Sequence, residues 1–261
     1  LSDESPETLS LDRLLQAPRY RLVLTYPRFE PAGAAQRLRE LRRLGVTHLE
    51  FAGRRDLSGV RILGKGHVGV IVIAHTRSGK AALKIRRLDA DRKSLRPEAR
   101  MLGAANAAGI GPRLHVSSTN FLLMELIEGN LLPDWARALG GRNVRRMLRE
   151  TLTRLIEDCF RLDQAGIDHG ELSQASRHVI VEPSGRPRIV DFESASRRRR
   201  PSNVTSICQF LFIGSKTARD IVKLLSGLDK KELIDALREY KASLSLEALH
   251  GIERAAGLRP A

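Results

Sequence analysis

The sequence predicts an α+β protein with a strand-rich first half and a helical second half, and three observations predict it. Between 60 and 126 apolar residues come in short runs bounded by Gly, Ser-Gly and Asn, as half-buried strands require. From 143 to 163 they recur at helical spacing instead, with Val144, Met147, Leu148, Leu152, Leu155, Ile156, Cys159 and Phe160 on one face. Ahead of both lies a short piece, 20–53, with a β-α-β pattern.

In chain order, residues 1–18 read as a mobile or helical lead. Residues 21–25 (Arg-Leu-Val-Leu-Thr) read as a strand, 32–44 as a helix ended by Gly45, and 46–51 as a strand. Strands follow at 60–63, 70–74 and 81–85, with a turn at Ser78-Gly79. Pro97 opens a helix running to Ala108, and Gly109 and Gly111 end it. Two more strands, at 114–117 and 121–126, complete the first half. The second half reads as the long helix 143–163, a hairpin pairing 179–181 with 188–190, and a helix capped by Asn203. That helix is apolar nearly all round and therefore buried. Three further helices lie near 216–226, 230–243 and 246–256, the second with Asp229 and Glu232 as its capping box. The pattern divides the chain into an N-terminal extension at 1–56, a strand-rich part at 57–127 and a helical part at 128–261.

Composition limits what such a chain can do. Charged residues make up 29% and apolar ones 42%, and no run of about 18 apolar residues exists to cross a membrane. The acidic start, Leu1 to Pro6, does not read as a signal peptide. Cys159 and Cys208 sit on apolar helical faces and read as buried free thiols, so the expected location is cytoplasmic. Lys and Arg outnumber Asp and Glu by 45 to 30, a net +15, which favours an acidic protein or an RNA or ribonucleoprotein as partner. Aromatic residues are 4%, too few for a base-stacking platform.

Five short motifs carry the chemistry. Gly64-Lys65-Gly66-His67-Val68-Gly69 lies between two strands, where bare backbone can approach phosphate oxygens. A strand rather than a helix follows it, which argues against a dinucleotide fold. Lys84 emerges from the apolar run Ala81-Ala82-Leu83-Lys84-Ile85, and Glu98 is an acid on the next helix. His169-Gly170-Glu171-Leu172 follows the long helix, and Asp191-Phe192-Glu193 follows a strand. Each also has a plainer reading: a hairpin turn, a snorkelling lysine, an ordinary helical acid. Arg197 to Arg200 form a run that reads either as a solvated loop or as a recruiter of acidic or phosphate-bearing substrates.

Taken in this order, the motifs resemble the protein-kinase-like phosphotransferases. Gly170 and the short stretch after Glu193 resemble the atypical RIO- and KEOPS-type branch, and H-G-E-L with D-F-E is similar to predicted archaeal Ser/Thr protein kinases. The resemblance implies a bilobal protein-kinase-like fold, with a small lobe of five antiparallel strands plus one helix and a large, mostly helical lobe. The 1–56 segment has no counterpart in it. The implied reaction is transfer of the ATP γ-phosphoryl group to a hydroxyl, with Mg²⁺. Gly64, Gly66 and Gly69 would cover the phosphates and Lys84 would hold them, oriented by Glu98. Glu125 and Ile127 fall in the segment that meets adenine, Asp191 would bind the metal, and Glu171 would position or deprotonate the hydroxyl.

Three departures from the family pattern matter. Glu171 stands for Asp, one methylene longer. The metal-binding Asn is replaced by Ser176 if residues are counted from Glu171, or by His178 if the following strand sets the register. His178 would then either ligate the metal or hydrogen-bond within its loop. Glu193 stands for Gly and removes a flexible hinge. These departures keep open a nucleotide-binding pseudokinase or ATPase associated with RNA, and a small-molecule kinase on the same fold.

Overall fold

The computed structural model describes residues 6–225 and 227–259. The acidic start at 1–5, and Ser226, to which the sequence extends the helix at 216, lie outside the described residues. The chain divides into two units, one of residues 1–100 and 113–126, the other of 101–112 and 127–261.

The first unit is built on a seven-stranded antiparallel sheet. Its strands are β1 (Glu7–Ser10), β2 (Val46–Phe51), β5 (Gly64–Lys65), β6 (Gly69–Thr76), β7 (Gly79–Arg86), β8 (Leu114–Ser117) and β9 (Phe121–Glu125). They lie in the order β1-β2-β6-β7-β9-β8, with β5 also paired to β6. Strand alternation decides the two faces. Val70, Val72 and Ala74 of β6, Leu83 and Ile85 of β7, and Phe121 and Leu123 of β9 enter one buried core. Helix α3 (Pro31–Arg43) adds Ala34, Leu38 and Leu41 to it. Lys84, one residue out of phase with Leu83 and Ile85, is turned to the opposite face.

Three expectations are corrected here. Residues 21–25 are not a strand: after α1 (Leu11–Leu14), α2 (Pro18–Arg21) runs into a single 3₁₀ turn at Leu22–Leu24. An apolar run this short has no period to distinguish strand from helix, and Pro18 at the first helical position presets helical φ. The edge strand is Glu7–Ser10 instead, in the stretch that read as a lead, and it pairs with β2 from Glu7 opposite Phe51. Finally, the strand expected at 60–63 does not join the sheet. It is β4 (Val60–Ile62), paired with β3 (Arg55–Leu57) in a separate ribbon whose turn residues Ser58 and Gly59 both have positive φ. The small-lobe count of five strands in one sheet is replaced by four of those five plus β1, β2 and β5.

The second unit is helical. Helix α4 (Arg96–Ala107) begins in the first unit and ends in this one. Helices α5 (Leu132–Ala138), α6 (Val144–Gln164), α7 (Asn203–Cys208), α8 (Lys216–Leu224), α9 (Lys230–Ser243) and α10 (Leu246–Ala255) surround a small ribbon. The ribbon pairs β10 (Asn130–Leu131), β11 (Val179–Val181) and β12 (Pro187–Ile189). Helix α6 buries most of the expected face, with Leu148, Leu152, Leu155, Ile156 and Cys159 inaccessible to solvent, but Val144 and Phe160 are half-buried and Met147, in the first turn, is exposed. Both cysteines are buried free thiols, and Asp229 caps α9 by accepting from the N–H groups of Lys231 and Glu232. Among the described residues no helix is long and apolar enough to cross a membrane.

Asn203 does not cap α7; Ser202 occupies that position. Asn203 is buried and ties three segments together. Its Nδ2 donates to Asp163 Oδ1 at 2.7 Å and to the Ile167 carbonyl at 2.6 Å, while its Oδ1 accepts from His169 N–H at 2.8 Å. Replacing Asn203 with Ala removes these partners from the Ile167 carbonyl and the His169 N–H in the interior, and takes one of several donors from the Asp163 carboxylate. The expected loss is about 3 kcal/mol, read as a lower urea midpoint at unchanged m-value. A midpoint within error of the wild type would show that water satisfies these groups instead.

Candidate functional site

In the first unit the chemistry-bearing side chain is Lys84. It is 2% exposed and Glu98 is 4% exposed, and Nζ lies 2.9 Å from Glu98 Oε1. Desolvating two such charges costs several kcal/mol each, which their attraction only partly returns. An apolar pair would hold the sheet to the helix more cheaply. The pair is therefore an arrangement that folding alone does not favour.

The glycine loop lies against this lysine. A Cβ on Gly69 would sit 2.8 Å from Lys84 Cγ and 3.0 Å from Cε, so only glycine lets the lysine stem cross β6 here. At Gly64 and Gly66 a Cβ would meet nothing closer than 3.5 Å, and neither residue has positive φ. The fold does not require glycine at those two positions. Their bare backbone is instead what a cradle for phosphate oxygens needs.

The loop is braced from behind. Gly66 N–H donates to the Gly69 carbonyl at 2.8 Å, and Arg87 Nη1 donates to the Gly66 carbonyl at 2.8 Å. Tyr26, from the N-terminal segment, accepts from Lys65 Nζ at 2.6 Å and presents its ring to both Lys65 and Arg87. Nothing in the local sequence around Tyr26 signals this brace. Glu125 ends β9, where its N–H donates to the Arg113 carbonyl and its carboxylate accepts from Arg113 N–H. Ile127 is the half-buried residue at which the second unit resumes.

In the second unit two segments converge. Asp168 and Ser196 exchange backbone hydrogen bonds at 2.9 and 2.8 Å, which fixes 168–171 beside 191–196. Glu171 is pinned at both oxygens. Oε2 lies 2.8 Å from His178 Nε2, and Oε1 accepts from the Ser194 hydroxyl. A carboxylate that already accepts from an alcohol is placed to orient one, and to take its proton. Ser176, the other candidate for the missing Asn, is exposed on the 3₁₀ turn Leu172–Arg177.

Asp191 has φ +68, a left-handed conformation that a non-glycine residue adopts only where its surroundings hold it there. One of its carboxylate oxygens lies within 4.8 Å of one from Glu193. Paired carboxylates are the kind of oxygen donor that Mg²⁺ takes in preference to imidazole. His178 has its Nε2 on Glu171, the partner within its own loop that was one of its two expected roles. Glu193 is the residue that motif reading missed. Read as a lost glycine hinge, it contributes a carboxylate beside Asp191.

His169 lies beneath these groups, stacked edge-on against Phe192 at 5.1 Å and His178 at 5.6 Å. Its Nε2 faces the Val190 carbonyl at 3.1 Å and must therefore carry the hydrogen. Burial, reinforced by His178, pushes its pKa down to about 4, so the ring is neutral. The arginine run is only partly a solvated loop. Arg199 Nε donates to Asp168 at 2.6 Å and its Nη2 to the Ser194 carbonyl at 2.6 Å, while Arg200 donates to the Lys241 carbonyl. Gly170, at φ +88, makes room for this, since a Cβ there would lie 2.5 Å from Arg199 Nη2.

The sequence matches no protein-family model and no curated protein. Among solved structures, part of the chain is similar to Rv3197 of Mycobacterium tuberculosis, determined in complex with erythromycin. The TM-score is 0.41 at 19% identity. The match covers 52% of this chain and spans 45% of the length of that one.

Two predictions follow from the geometry. Lys84→Met leaves Glu98 without its ammonium and should cost about 3 kcal/mol, whereas Lys84→Met with Glu98→Leu should recover most of that loss. Equal denaturation midpoints for single and double variants would mean the two residues are not energetically coupled. The second concerns pH. The unfolded chain protonates His169 near 6.5 while the folded one resists until about 4, so stability falls as pH drops through that window. Asp158 acts in the opposite sense, because burial raises its pKa to about 6 and its contribution is lost as pH rises through that value. His169→Gln keeps a donor for Val190 and should remove up to roughly 3 kcal/mol of acid sensitivity between pH 6.5 and 4. Parallel pH profiles for variant and wild type would exclude His169 as the cause.

Proposed function

We propose that the chain is an ATP-dependent phosphotransferase that moves the γ-phosphoryl group to a hydroxyl acceptor. The observation that carries this reading is the buried Lys84–Glu98 pair beneath a glycine loop whose Gly64 and Gly66 the fold does not itself require. A fixed ammonium next to a loop whose backbone carries no Cβ is a receptor for phosphate oxygens. Lys84 holds the α- and β-phosphates, and Glu98 keeps its side chain in place. Asp191, with Glu193 beside it, holds Mg²⁺, which when bound neutralises charge on the transferring group. Glu171 orients the acceptor in the position that the Ser194 hydroxyl occupies. The acceptor oxygen bonds to the γ-phosphorus as the bond to the β-bridging oxygen breaks, ADP departs, and the hydroxyl proton passes to Glu171.

We assign the acceptor as a protein serine or threonine, in keeping with the RIO- and KEOPS-type resemblance. A small hydroxyl compound is the second reading, favoured by one observation. The stretch from Glu193 to Asn203 is tied down through Ser196 and Arg199, leaving little free backbone on which a peptide strand could dock.

Incubation with Mg²⁺ and γ-labelled ATP decides among these readings by where the label goes: protein, small molecule or free phosphate. Lys84→Met/Glu98→Leu and Asp191→Ala should each weaken Mg-ATP binding about tenfold, or roughly 1.4 kcal/mol. Glu171→Gln should leave that affinity nearly unchanged while transfer falls about 100-fold. Wild-type ATP affinity in both binding variants would overturn the assignment of the phosphate and metal groups. Undiminished transfer by Glu171→Gln would remove the carboxylate from the chemistry.

A further inference from the structure

The second unit carries a charged feature that phosphotransfer does not use. Around the start of α6 lies an open cleft of about 570 Å³ whose cationic side chains are all arginines: Arg142, Arg145, Arg146, Arg149 and Arg154. Two carboxylates share it. Glu150 is 3.8 Å from Arg146, and Glu157 is 3.7 Å from Arg259. Among the described residues Arg142, Arg145 and Arg154 have no carboxylate at ion-pair distance, and all three are exposed.

This placement runs against helix stability. The first turn of α6 holds Arg145 and Arg146, no acidic residue, and no side-chain cap from Asn143. Its unsatisfied N–H groups and the positive end of the helix dipole repel cations there. An anion lying across the cleft would satisfy those N–H groups and relieve the repulsion between arginines.

We propose that this cleft binds the phosphodiester backbone of a nucleic acid. Three features favour that over an acidic protein. The lining offers Leu258 as its one apolar side chain among the described residues, whereas protein interfaces rely on aromatic and apolar anchors. Asn143 and Thr153 beside the arginines, together with a helix N-terminus, are groups that commonly contact phosphates. Finally, Arg145 to Arg154 spans about 13 Å along the helix, or roughly four nucleotide steps of one strand. Among the described residues no aromatic side chain lines the cleft, so the proposed contact is to the backbone without base stacking and independent of sequence.

The test uses the whole chain and fluorescence anisotropy with a labelled single-stranded RNA, the same sequence as DNA, and poly-glutamate, each over a range of salt. Replacing Arg142, Arg145, Arg146 and Arg154 with Gln preserves helix propensity and should lower affinity for both nucleic acids at least about tenfold. The slope of log affinity against log salt should fall by up to about three. The same four positions changed to Lys should keep the wild-type slope, which separates lost charge from misfolding. Arg197→Gln/Arg198→Gln, in the exposed loop elsewhere in the unit, should change little. RNA bound much more tightly than DNA would identify the natural strand without altering the proposal. The proposal is overturned if the four-Gln variant binds and responds to salt like the wild type. It is equally overturned if the loop variant loses as much, or if poly-glutamate binds more tightly than either nucleic acid.

Discussion

Asp163 sits near the end of α6 with its carboxylate almost wholly removed from water, and the second unit is arranged around keeping that group satisfied. It accepts from Asn203 N–H at 2.9 Å, Asn203 Nδ2 at 2.7 Å, Val204 N–H at 3.2 Å and Tyr240 Oη at 2.9 Å. Burial raises its pKa, and these donors pull the other way. Meeting this constraint brings the start of α7 and the last turn of α9 to α6. Because Asn203 also takes the His169 N–H, the same constraint places the segment that carries Glu171. A single buried acid thus connects the helical scaffold to the candidate proton acceptor.

The first unit has a comparable anchor in the N-terminal segment. Arg37 of α3 is buried and directs its guanidinium to the carbonyls of Leu24 and Arg86 and to Asn120 Oδ1. Burial lowers its pKa to about 10, still far above neutrality, so the charge persists. Glu40, one turn on, accepts from the side-chain amide of Asn120 at 2.9 Å. These contacts, the β1–β2 pair on the edge of the sheet and Tyr26 at the glycine loop make residues 7–51 part of the loop's support. Their sequence resembles nothing in the motif-bearing region.

The departures from the kinase pattern acquire physical meaning from their neighbours. Glu171, one methylene longer than Asp, is braced by His178 and Ser194, which restrain the extra rotatable bond. Glu193 gives up the freedom of a glycine and contributes a second oxygen donor near Asp191. The arginine run places one guanidinium on Asp168 and another on a carbonyl of α9, although all four of its residues remain exposed. Each case is a side chain whose role depends on a residue distant in sequence.

The sequence by itself determined what depends on local period and local backbone chemistry. The amphipathic face of α6, the alternation that turns Lys84 away from Leu83 and Ile85, the Asp229 cap and the hairpin at 179–189 all follow from residues within one or two turns. So does the order of the motifs. Only the tertiary structure decided what those rules do not contain. Residues 18–24 have too few apolar positions to show a period, and β1 has almost none, so pairing with β2 alone makes it a strand. Asn203 looks like a cap because Asn before an apolar helix usually is one. Its true role is to satisfy Asp163, 40 residues away. His178 and Glu193 were read against a pattern that supplies expected neighbours, while burial and hydrogen-bond satisfaction selected the actual ones. A titratable side chain takes its role from whatever partner the fold brings within about 3 Å, and sequence spacing does not encode that distance.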